Sequence, residues 1–361
     1  MKKACLLPLF IILLFNAFAQ QPPAQGRTSE AASGGKQTYK VAVIAFYNLE
    51  NFYDTTDNPI VDDQEFLPSG ARNYNTKIYM DKVGKLATVL SEIGTEVSPD
   101  GPAIIGVAEI ENDTVLHDLV NHPKLKARGY QIVHYDSKDL RGVDVALLYN
   151  PKYFTPEASA PLQVNLPVGA KEGRRFTRDV LWVKGKLDGE PINLYVNHWP
   201  SRVGGEERSA PGRAAAARVS KQHSDSLLKI DPNTKFVIMG DLNDDPISPS
   251  VAKVLGAKGD AKDVQPGGIF NPWVHMYNNG IGTLAYQDAW SLFDQIMISQ
   301  AWLPRQQEGY FFFQQKIFNK EYLTENQGRY RGYPMRTWDG MSYRGGYSDH
   351  FPTYLIFLRK K

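Results

Sequence analysis

The chain has 361 residues, of which 42% are hydrophobic and 22% are charged. This composition provides enough apolar side chains for a sizeable core and excludes a disordered, collagen-like or disulfide-dense protein. The formal net charge is +2, and residues 1–19, which hold Lys2 and Lys3 and no acid, account for all of it. The other residues carry 39 basic and 39 acidic side chains, which disfavours undirected binding to nucleic acid or to an anionic membrane.

Residues 1–19 have the pattern of a secretory signal peptide. Lys2 and Lys3 precede an apolar run over residues 6–15, and Ala17-Phe18-Ala19 supplies the small residues of a cleavage site. A retained membrane anchor is the alternative, but the run is shorter than the roughly 20 residues that span a bilayer. We therefore expect an exported protein, either periplasmic or secreted. Cys5 is the only cysteine, so the mature protein would contain no disulfide.

The remainder predicts one domain behind a short leader. Residues 20–38 lack periodicity and indicate a flexible leader, and residues 39–361 read as a single domain without an internal linker. Strands are predicted at residues 40–47, 103–108, 130–135, 143–149, 180–187, 192–197, 235–239, 295–299 and 353–358. Helices are predicted at residues 77–93, 114–119, 206–229 and 248–255. Hairpins mixed with strand–helix units favour an α/β sandwich of two packed sheets with helices outside.

Polar residues capable of chemistry stand at one end of six of these strands. They are Asn48, Glu109, His198, Asp241 with Asn243, Asp294, and the pair Asp349-His350. A single strand end of this kind would indicate only a polar turn, because Gly, Asp and Asn are common turn residues. Six ends that carry carboxylates, amides and imidazoles together indicate an assembled site.

In this chain order, the residues resemble the endonuclease/exonuclease/phosphatase superfamily. That group includes deoxyribonuclease I, the apurinic-site exonucleases, neutral sphingomyelinases and inositol-polyphosphate 5-phosphatases. The most specific motifs are Gly240-Asp241-Leu242-Asn243-Asp244 and Ser348-Asp349-His350-Phe351-Pro352. Residues 46–51 and 141–146 resemble the exported bacterial branch. The resemblance spans residues 40–358 and implies a four-layer α/β sandwich, two packed mixed sheets flanked by helices, with the site at one rim.

The resemblance implies a divalent metal ion. Glu109, with Asn48 beside it, would bind Mg²⁺ or Mn²⁺, and Asp349 would complete the acidic cluster around the ion. Carboxylate and amide oxygens are the ligands that these cations prefer. The sequence leaves open whether a structural Ca²⁺ is also bound.

The resemblance also implies in-line attack of an activated water on phosphorus. Asp241 would orient or deprotonate the water, and Asn243 would hold that water or a phosphate oxygen. His350 would contact a non-bridging or leaving oxygen, with Asp294 orienting its ring. His198 occupies the second histidine position of the deoxyribonuclease and sphingomyelinase branches, where it would bind the phosphate.

Three further assignments have alternatives. Arg178 matches a phosphate-contacting arginine of the deoxyribonuclease branch, or is a solvated residue at a strand start. Asp144 would pair with His198, but it is offset by one position from the family residue, and one position on a strand reverses the face. Arg202 and Arg213 would grip a second phosphate or have no specific role.

The sequence leaves the substrate open. The residues after Gln300 include ten Lys or Arg and only five acids, and aromatic residues lie among them at 310–313, Tyr330 and Tyr333. A basic surface with stacking groups suits a nuclease that acts on DNA or RNA. One alternative is the same chemistry on a phospholipid, with residues 269–277 as a membrane-docking loop, or on a small phosphoester. The other is a non-catalytic binding role. We expect a monomer and find no signal for a protein partner.

Overall fold

Two six-stranded mixed β-sheets pack face to face in the computed structural model, which describes residues 37–167, 176–306 and 308–361. Residues Thr38–Lys361 form one compact unit. The predicted signal peptide and nearly all of the predicted leader lie outside the described residues. None of the helices that the structure describes is long and apolar enough to cross a bilayer.

The described elements comprise the twelve strands of the two large sheets, four strands that form two separate two-stranded sheets, and the helices. In chain order the strands are β1 (Tyr39–Phe52), β2 (Ile104–Ile110), β3 (Gln131–His134), β4 (Asp144–Tyr149), β5 (Phe154–Leu162), β6 (Val180–Leu187), β7 (Glu190–His198), β8 (Phe236–Asp241), β9 (Ile269–Phe270), β10 (Leu284–Tyr286), β11 (Ala289–Ser291), β12 (Asp294–Ser299), β13 (Phe311–Ile317), β14 (Trp338–Asp339), β15 (Ser342–Tyr343) and β16 (Thr353–Lys360). The helices are α1 (Thr76–Glu92), α2 (Asp113–Asn121), α3 (Pro123–Lys126), α4 (Glu206–Ile230) and α5 (Val274–Asn278), and a π-helical turn covers Ser250–Leu255.

Strand direction brings the functional residues to one rim. The first sheet has the order β13-β16-β1-β2-β4-β3 and the second β5-β6-β7-β8-β12-β9. The pairs β1/β2 and β7/β8 are parallel, so their carboxyl ends lie together. Strands β16 and β12 run antiparallel to β1 and β8, which places their starting residues beside those ends. In the second sheet Asp241 is the register partner of both His198 and Asp294.

Three apolar layers hold the sheets and helices together. Ile44 of β1 packs with Leu194 of β7 between the sheets. On the outer face of the first sheet, Val43 packs with Leu86 of α1, and on that of the second, Ile238 packs near Ala216 of α4. This arrangement of helices, sheet, sheet and helix confirms the predicted four-layer α/β sandwich.

Each predicted element is present, with β1 extending five residues beyond its predicted end and smaller shifts elsewhere. The longer strands β5 and β13 were not predicted, nor were the short elements α3, α5, β9, β10, β11, β14 and β15. Strand β5 is an edge strand, largely solvent-facing and containing Pro156 and Pro161, so it has no alternating apolar pattern. The aromatic run that includes β13 was interpreted as a stacking surface, but Tyr310 and Phe311 are buried in the core. The prediction that Tyr310 and Phe311 form a stacking surface for nucleic acid is therefore wrong. An aromatic run has the same composition in a core strand as on a binding surface, so the sequence alone did not distinguish the two.

Gly106 of β2 packs tightly against the second sheet. A Cβ atom at this position would lie 2.6 Å from Met239 Sδ and 3.2 Å from Phe46 Cδ2. We expect Gly106→Ala to lower the free energy of unfolding by about 1–3 kcal/mol in urea denaturation, because the inserted methyl overpacks the core. Gly84→Ala in α1 is the control, since a Cβ atom there would lie 3.6 Å from its nearest neighbour, His122 Nε2, and the change should stabilise the protein by about 0.5–1 kcal/mol. Equal stability of the two variants would contradict this account.

Candidate active site

Asp241 lies at the centre of the predicted residues. Its Oδ2 accepts a hydrogen bond from Asn48 Nδ2 at 3.0 Å and lies 3.7 Å from His198 Nε2 and 3.9 Å from His350 Nε2. Its Oδ1 accepts the backbone N–H of Asn243 at 2.9 Å. The structure therefore brings Asn48, His198, Asp241 and His350 together, although they come from both sheets.

The predicted pairing of Asp294 with His350 is present. Asp294 Oδ2 accepts from His350 Nδ1 at 2.7 Å and from the Thr283 hydroxyl at 2.5 Å. Asp294 is fully buried, so these donors hold its carboxylate in place. With Nδ1 committed to Asp294, the His350 ring directs Nε2 toward Asp241. Thr283 was not predicted, because it lies in a loop-rich stretch without an apolar pattern.

The two histidines have opposite charge preferences. Burial and the nearby Arg178 and Arg141 hold the pKa of His198 well below its usual value. Burial also disfavours the charged form of His350, but the carboxylates of Asp294, Asp241 and Asp349 outweigh it and raise the pKa of His350 well above the usual value. At neutral pH the site thus holds one neutral imidazole and one imidazolium.

Asp241 is poised between these rings. Its pKa is raised to about 6, because burial outweighs the charge of His350, which lowers the pKa, and the charge of Asp294 adds to the effect of burial. Asp241 is therefore mostly ionised at pH 7 yet close enough to titration to accept a proton. Carboxylates with this property are candidates for general bases.

Glu109 enters the site through a local change of strand register. The pairing of β2 with β4 shifts between Ala108 and Ile110, and Glu109 between them has a φ of +60°. Such a bulge re-aims a side chain that regular alternation would point elsewhere. Glu109 Oε2 accepts the backbone N–H of Asn51 at 2.8 Å, and Oε1 lies 3.7 Å from His198 Nε2.

The predicted metal ligands offer carboxylate and amide oxygens beside the histidine rings. Glu109 Oε1 and Asp349 Oδ1 face the histidine rings at 3.7 and 3.8 Å rather than forming close hydrogen bonds to them. The amide oxygen of Asn48 accepts one N–H, that of Glu50, at 2.9 Å. Carboxylate and amide oxygens of this kind suit Mg²⁺ or Mn²⁺.

Two buried residues of opposite charge, Lys82 and Glu50, bind Thr337 beneath the acidic cluster, and the sequence analysis missed them. Glu50 accepts the Thr337 backbone N–H at 2.6 Å, and Lys82 donates to the Thr337 hydroxyl at 2.7 Å. Burial and the charge of Asp349 raise the pKa of Glu50 to about 7, while burial lowers that of Lys82 to about 8. The available signal was a lysine on the apolar face of a predicted helix. Lys82 supplies positive charge under Glu50, Glu109 and Asp349.

Arg178 is bound inside the protein rather than open to a phosphate. Its guanidinium donates to Asp139 Oδ2 at 3.1 Å and to the Trp199 carbonyl at 2.7 Å, and the residue is buried. Neither predicted role, phosphate contact or a solvated strand start, matches this position. Arg178 instead holds the backbone that follows His198 and contributes positive charge there.

Asp144 does not pair with His198. Its Oδ2 lies 3.7 Å from Nε2 of His134, at the end of β3, and its Oδ1 accepts the Ser137 backbone N–H at 3.0 Å. The one-position offset noted in the sequence is consistent with this outcome, because β2 and β4 change register beside Asp144.

Arg202 and Arg213 hold the loop after β8. Arg202 donates to the Asn243 carbonyl at 2.9 Å and forms ion pairs with Glu206, Asp244 and Asp245. Buried Arg213 forms an ion pair with Asp244 at 2.7 Å. These contacts replace the predicted grip on a second phosphate.

Asn243 is partly committed to the same loop. Its side-chain N–H donates to the Trp199 carbonyl at 3.0 Å, and its φ of +49° lies in the left-handed region that Asn tolerates. The backbone N–H to Asp241 and the side-chain N–H to Trp199 join β8 to the end of β7. Asn243 therefore positions Asp241, in addition to its predicted contact with water or phosphate.

A buried carboxylate between two histidines, at the rim of two packed mixed sheets, defines a deoxyribonuclease I-like hydrolase fold. The profile of the Endonuclease/Exonuclease/phosphatase family matches residues 43–360, and the chain belongs to that family. A search of curated protein sequences finds no significant match.

Solved structures of low sequence identity share this fold. An endonuclease/exonuclease/phosphatase family protein from Bacteroides thetaiotaomicron is 15% identical, with a TM-score of 0.53, over 90% of this chain and 96% of that one. A mannosyl-6-phosphatase from the same species is 16% identical, with a TM-score of 0.52, over 88% and 99%. Humanized D. rerio TDP2 is 14% identical, with a TM-score of 0.50, over 88% and 98%.

The charge states of the two histidines can be measured directly by NMR. In metal-free protein labelled with ¹⁵N-histidine, we expect His350 to remain doubly protonated at pH 7 and His198 to remain neutral at pH 6, as the directions of their pKa shifts require. Asp294→Asn should lower the pKa of His350, because it removes the charge that stabilises the imidazolium. A neutral His350 at pH 6.5 in the parent protein would contradict this electrostatic account.

Proposed function

We propose that this protein is an exported, divalent-metal-dependent phosphodiesterase, most simply a nuclease that hydrolyses DNA or RNA. The observation that carries the proposal is the placement of buried, ionisable Asp241 between neutral His198 and protonated His350. This set provides a proton acceptor and cationic or neutral hydrogen-bond donors within one small volume. Membership of the family supports phosphoester hydrolysis as the reaction class.

Asp241 accepts a proton from the attacking water in this mechanism. Its Oδ1 is held by the Asn243 backbone and its Oδ2 by Asn48, so the carboxylate is oriented before substrate arrives. The attack is in line with the leaving oxygen and forms no covalent intermediate with the protein. Positioned proton transfer of this kind contributes about 10²–10⁴ in rate.

His350 stabilises the charge that builds on the phosphoryl oxygens. Its Nδ1 is committed to Asp294, so Nε2 carries the proton that faces the substrate side of Asp241. His198, held neutral, supplies a second polar contact without adding repulsion to a nearby cation. A metal held by Glu109, Asn48 and Asp349 would supply Lewis-acid stabilisation of the same oxygens. Loss of one preorganised donor at such a site commonly costs 10²–10³-fold in rate.

A cavity of about 480 Å³ beside the site supports a substrate that carries flat rings. Asp349 lines this cavity together with Arg336, Arg329 and the tyrosines Tyr286 and Tyr330. Tyr286 is 73% exposed and Tyr330 52%, so both rings are open to a ligand. Base–aromatic stacking tolerates any base sequence and is worth about 1–3 kcal/mol per base.

A row of aromatic rings links the cavity to the site. Phe351, the residue after His350, stacks on Trp290 with centroids 6.2 Å apart. Trp290 contacts Tyr333 at 5.7 Å, and Tyr333 contacts Tyr330 at 5.5 Å. The inner rings hold the outer tyrosines in fixed positions relative to His350. For a polynucleotide whose scissile phosphate contacts His350, Tyr330 would be a stacking surface for a base farther along the strand.

Small phosphoesters are the second candidate substrate class. A phospholipid substrate is disfavoured, because apolar side chains of the segment expected to dock on a membrane are buried. The cavity also contains Glu325 and Asp339, whose carboxylates suit sugar hydroxyls, and one structural neighbour is a mannosyl-6-phosphatase. In the segment proposed for membrane docking, Ile269, Phe270 and Trp273 are buried in the core. A docking loop requires exposed apolar side chains, which these residues do not provide.

We expect Asp241→Ala and His350→Ala each to lower turnover at least about a hundredfold while the protein stays folded. The assay measures cleavage of plasmid DNA, RNA and bis-p-nitrophenyl phosphate in Mg²⁺ or Mn²⁺, with EDTA expected to abolish it. Asp225→Asn, on the exposed side of α4, is the matched control and should keep full activity. A folded Asp241→Ala variant with normal activity, or full activity in EDTA, would overturn the proposed mechanism.

The cavity predicts a selective effect on polynucleotides. We expect Tyr330→Ala to lower kcat/KM on a single-stranded oligonucleotide by about 5–150-fold, which corresponds to the loss of one stacked base. Activity on bis-p-nitrophenyl phosphate should stay within about twofold, because Tyr330 does not contact the reacting atoms. Phe313→Ala, an exposed aromatic on β13 outside the cavity, is the control. Equal activity of Tyr330→Ala on the oligonucleotide, with faster turnover of sugar phosphates, would move the substrate class to small phosphoesters.

A further inference from the structure

A second cluster of metal-ligating side chains lies at the edge of the first sheet. His134 ends edge strand β3, Asp144 begins β4, and Asp136 lies in the loop between them. Only 3% of the His134 side chain and 5% of that of Asp144 are exposed, whereas Asp136 is 86% exposed. One donor atom from each residue lies within 4.8 Å of the other two. None of these residues belongs to the group around Asp241.

The His134 ring has the orientation of a metal ligand. Its Nδ1 lies 2.9 Å from Oδ1 of Asp113, at the start of α2, which fixes the proton on Nδ1. Its Nε2 is buried, has no hydrogen-bond partner among the described residues, and faces Asp144 Oδ2 at 3.7 Å and Asp136 Oδ1 at 3.9 Å. Histidines that bind metals through one nitrogen generally donate the other N–H to a carboxylate or carbonyl.

The distances suit an ion between the donors better than direct contacts. Separations of 3.7 and 3.9 Å are too long for hydrogen bonds. Two ligand atoms that are each about 2.1 Å from one ion lie about 3–4 Å apart. Asp144 Oδ1 is held by the Ser137 N–H, which leaves Oδ2 directed at His134. Asp136 is exposed and can move the short remaining distance.

The negative charges around His134 also favour the binding of a cation. Asp113, Asp136 and Asp144 surround one imidazole, and among the ion pairs of the described residues none joins these carboxylates to a lysine or arginine. We propose that His134, Asp136 and Asp144 bind one divalent transition-metal ion, Zn²⁺ or Mn²⁺, with water completing its coordination. An imidazole nitrogen with two carboxylates favours these ions over Ca²⁺, which takes oxygen ligands.

This ion would fix the loop that reaches the candidate active site. Residues 135–143 connect His134 to Asp144, so one ion joins both ends of the loop. Within it, Asp139 binds Arg178, and the charge of Arg141 is coupled to that of Glu109 and Asp241. The second ion is therefore a structural clamp behind these contacts, and its binding does not depend on which phosphoester is cleaved.

The test separates this ion from any ion at Glu109. Glu109→Gln protein, expected to be weakened at the catalytic metal site, is titrated with Mn²⁺ at pH 8 and examined by pulsed electron paramagnetic resonance. We expect bound Mn²⁺ with ¹⁴N coupling from an imidazole, and loss of that coupling when His134→Ala is added. Adding Asp136→Asn instead should weaken Mn²⁺ and Zn²⁺ binding at least about tenfold. Asp57→Asn, another exposed acid, is the matched control.

The Asp136→Asn variant also shows whether a loss of metal binding reflects a loss of folding. Asp136→Asn changes an exposed side chain, so its melting temperature without metal should equal that of the Asp57→Asn control. Absence of nitrogen-coupled Mn²⁺ in Glu109→Gln protein, or persistence of the coupling after His134→Ala, would overturn the second site. Equal affinities of the Asp136→Asn and Asp57→Asn variants would also overturn it. These readouts need no activity, so failure of the proposed function would leave them unaffected.

Discussion

The hydrogen bond between Asn48 and Asp241 connects the two sheets at the rim where the candidate active site lies. Asn48 belongs to β1 of the first sheet and Asp241 to β8 of the second, and both side chains are almost fully buried. A buried amide or carboxylate that loses its partner costs about 1–3 kcal/mol, so this contact opposes sliding of one sheet over the other. The distances from Asp241 to both histidines depend on that alignment.

Close packing of backbone supports the same alignment. A Cβ atom on Gly240 would lie 2.2 Å from the Asn197 carbonyl oxygen, so β8 can approach β7 this closely only with glycine beside Asp241. Asn243 then ties the end of β8 to Trp199. Backbone contacts of this kind hold a catalytic carboxylate more rigidly than a surface loop would.

The charged side chains buried at this rim give the two histidines different charge states. The carboxylates of Asp294, Asp241 and Asp349 surround His350, which makes the imidazolium favourable there, whereas His198 lies near the guanidinium groups of Arg178 and Arg141. Lys82 offsets part of the repulsion from beneath. Two histidines of the same intrinsic pKa therefore differ in charge because of their neighbours. The proposed metal at His134 extends this principle, since it would neutralise a separate group of carboxylates behind the loop of Arg141.

The sequence by itself determined the layered α/β fold and the strand ends that carry Asn48, Glu109, His198, Asp241 and His350. Apolar runs and their polar ends are local patterns, and parallel strands must end at the same edge, so both could be read along the chain. Only the tertiary structure decided the partner of Asp144, the ion pair of Arg178 with Asp139, and the shared contact of buried Lys82 and Glu50 with Thr337. Lys82 and Thr337 are separated by 255 positions, and the charge state of a buried group depends on every neighbour that packing brings to it. No local pattern carries that information, because burial and charge at one point are summed over segments that meet only after the chain has folded.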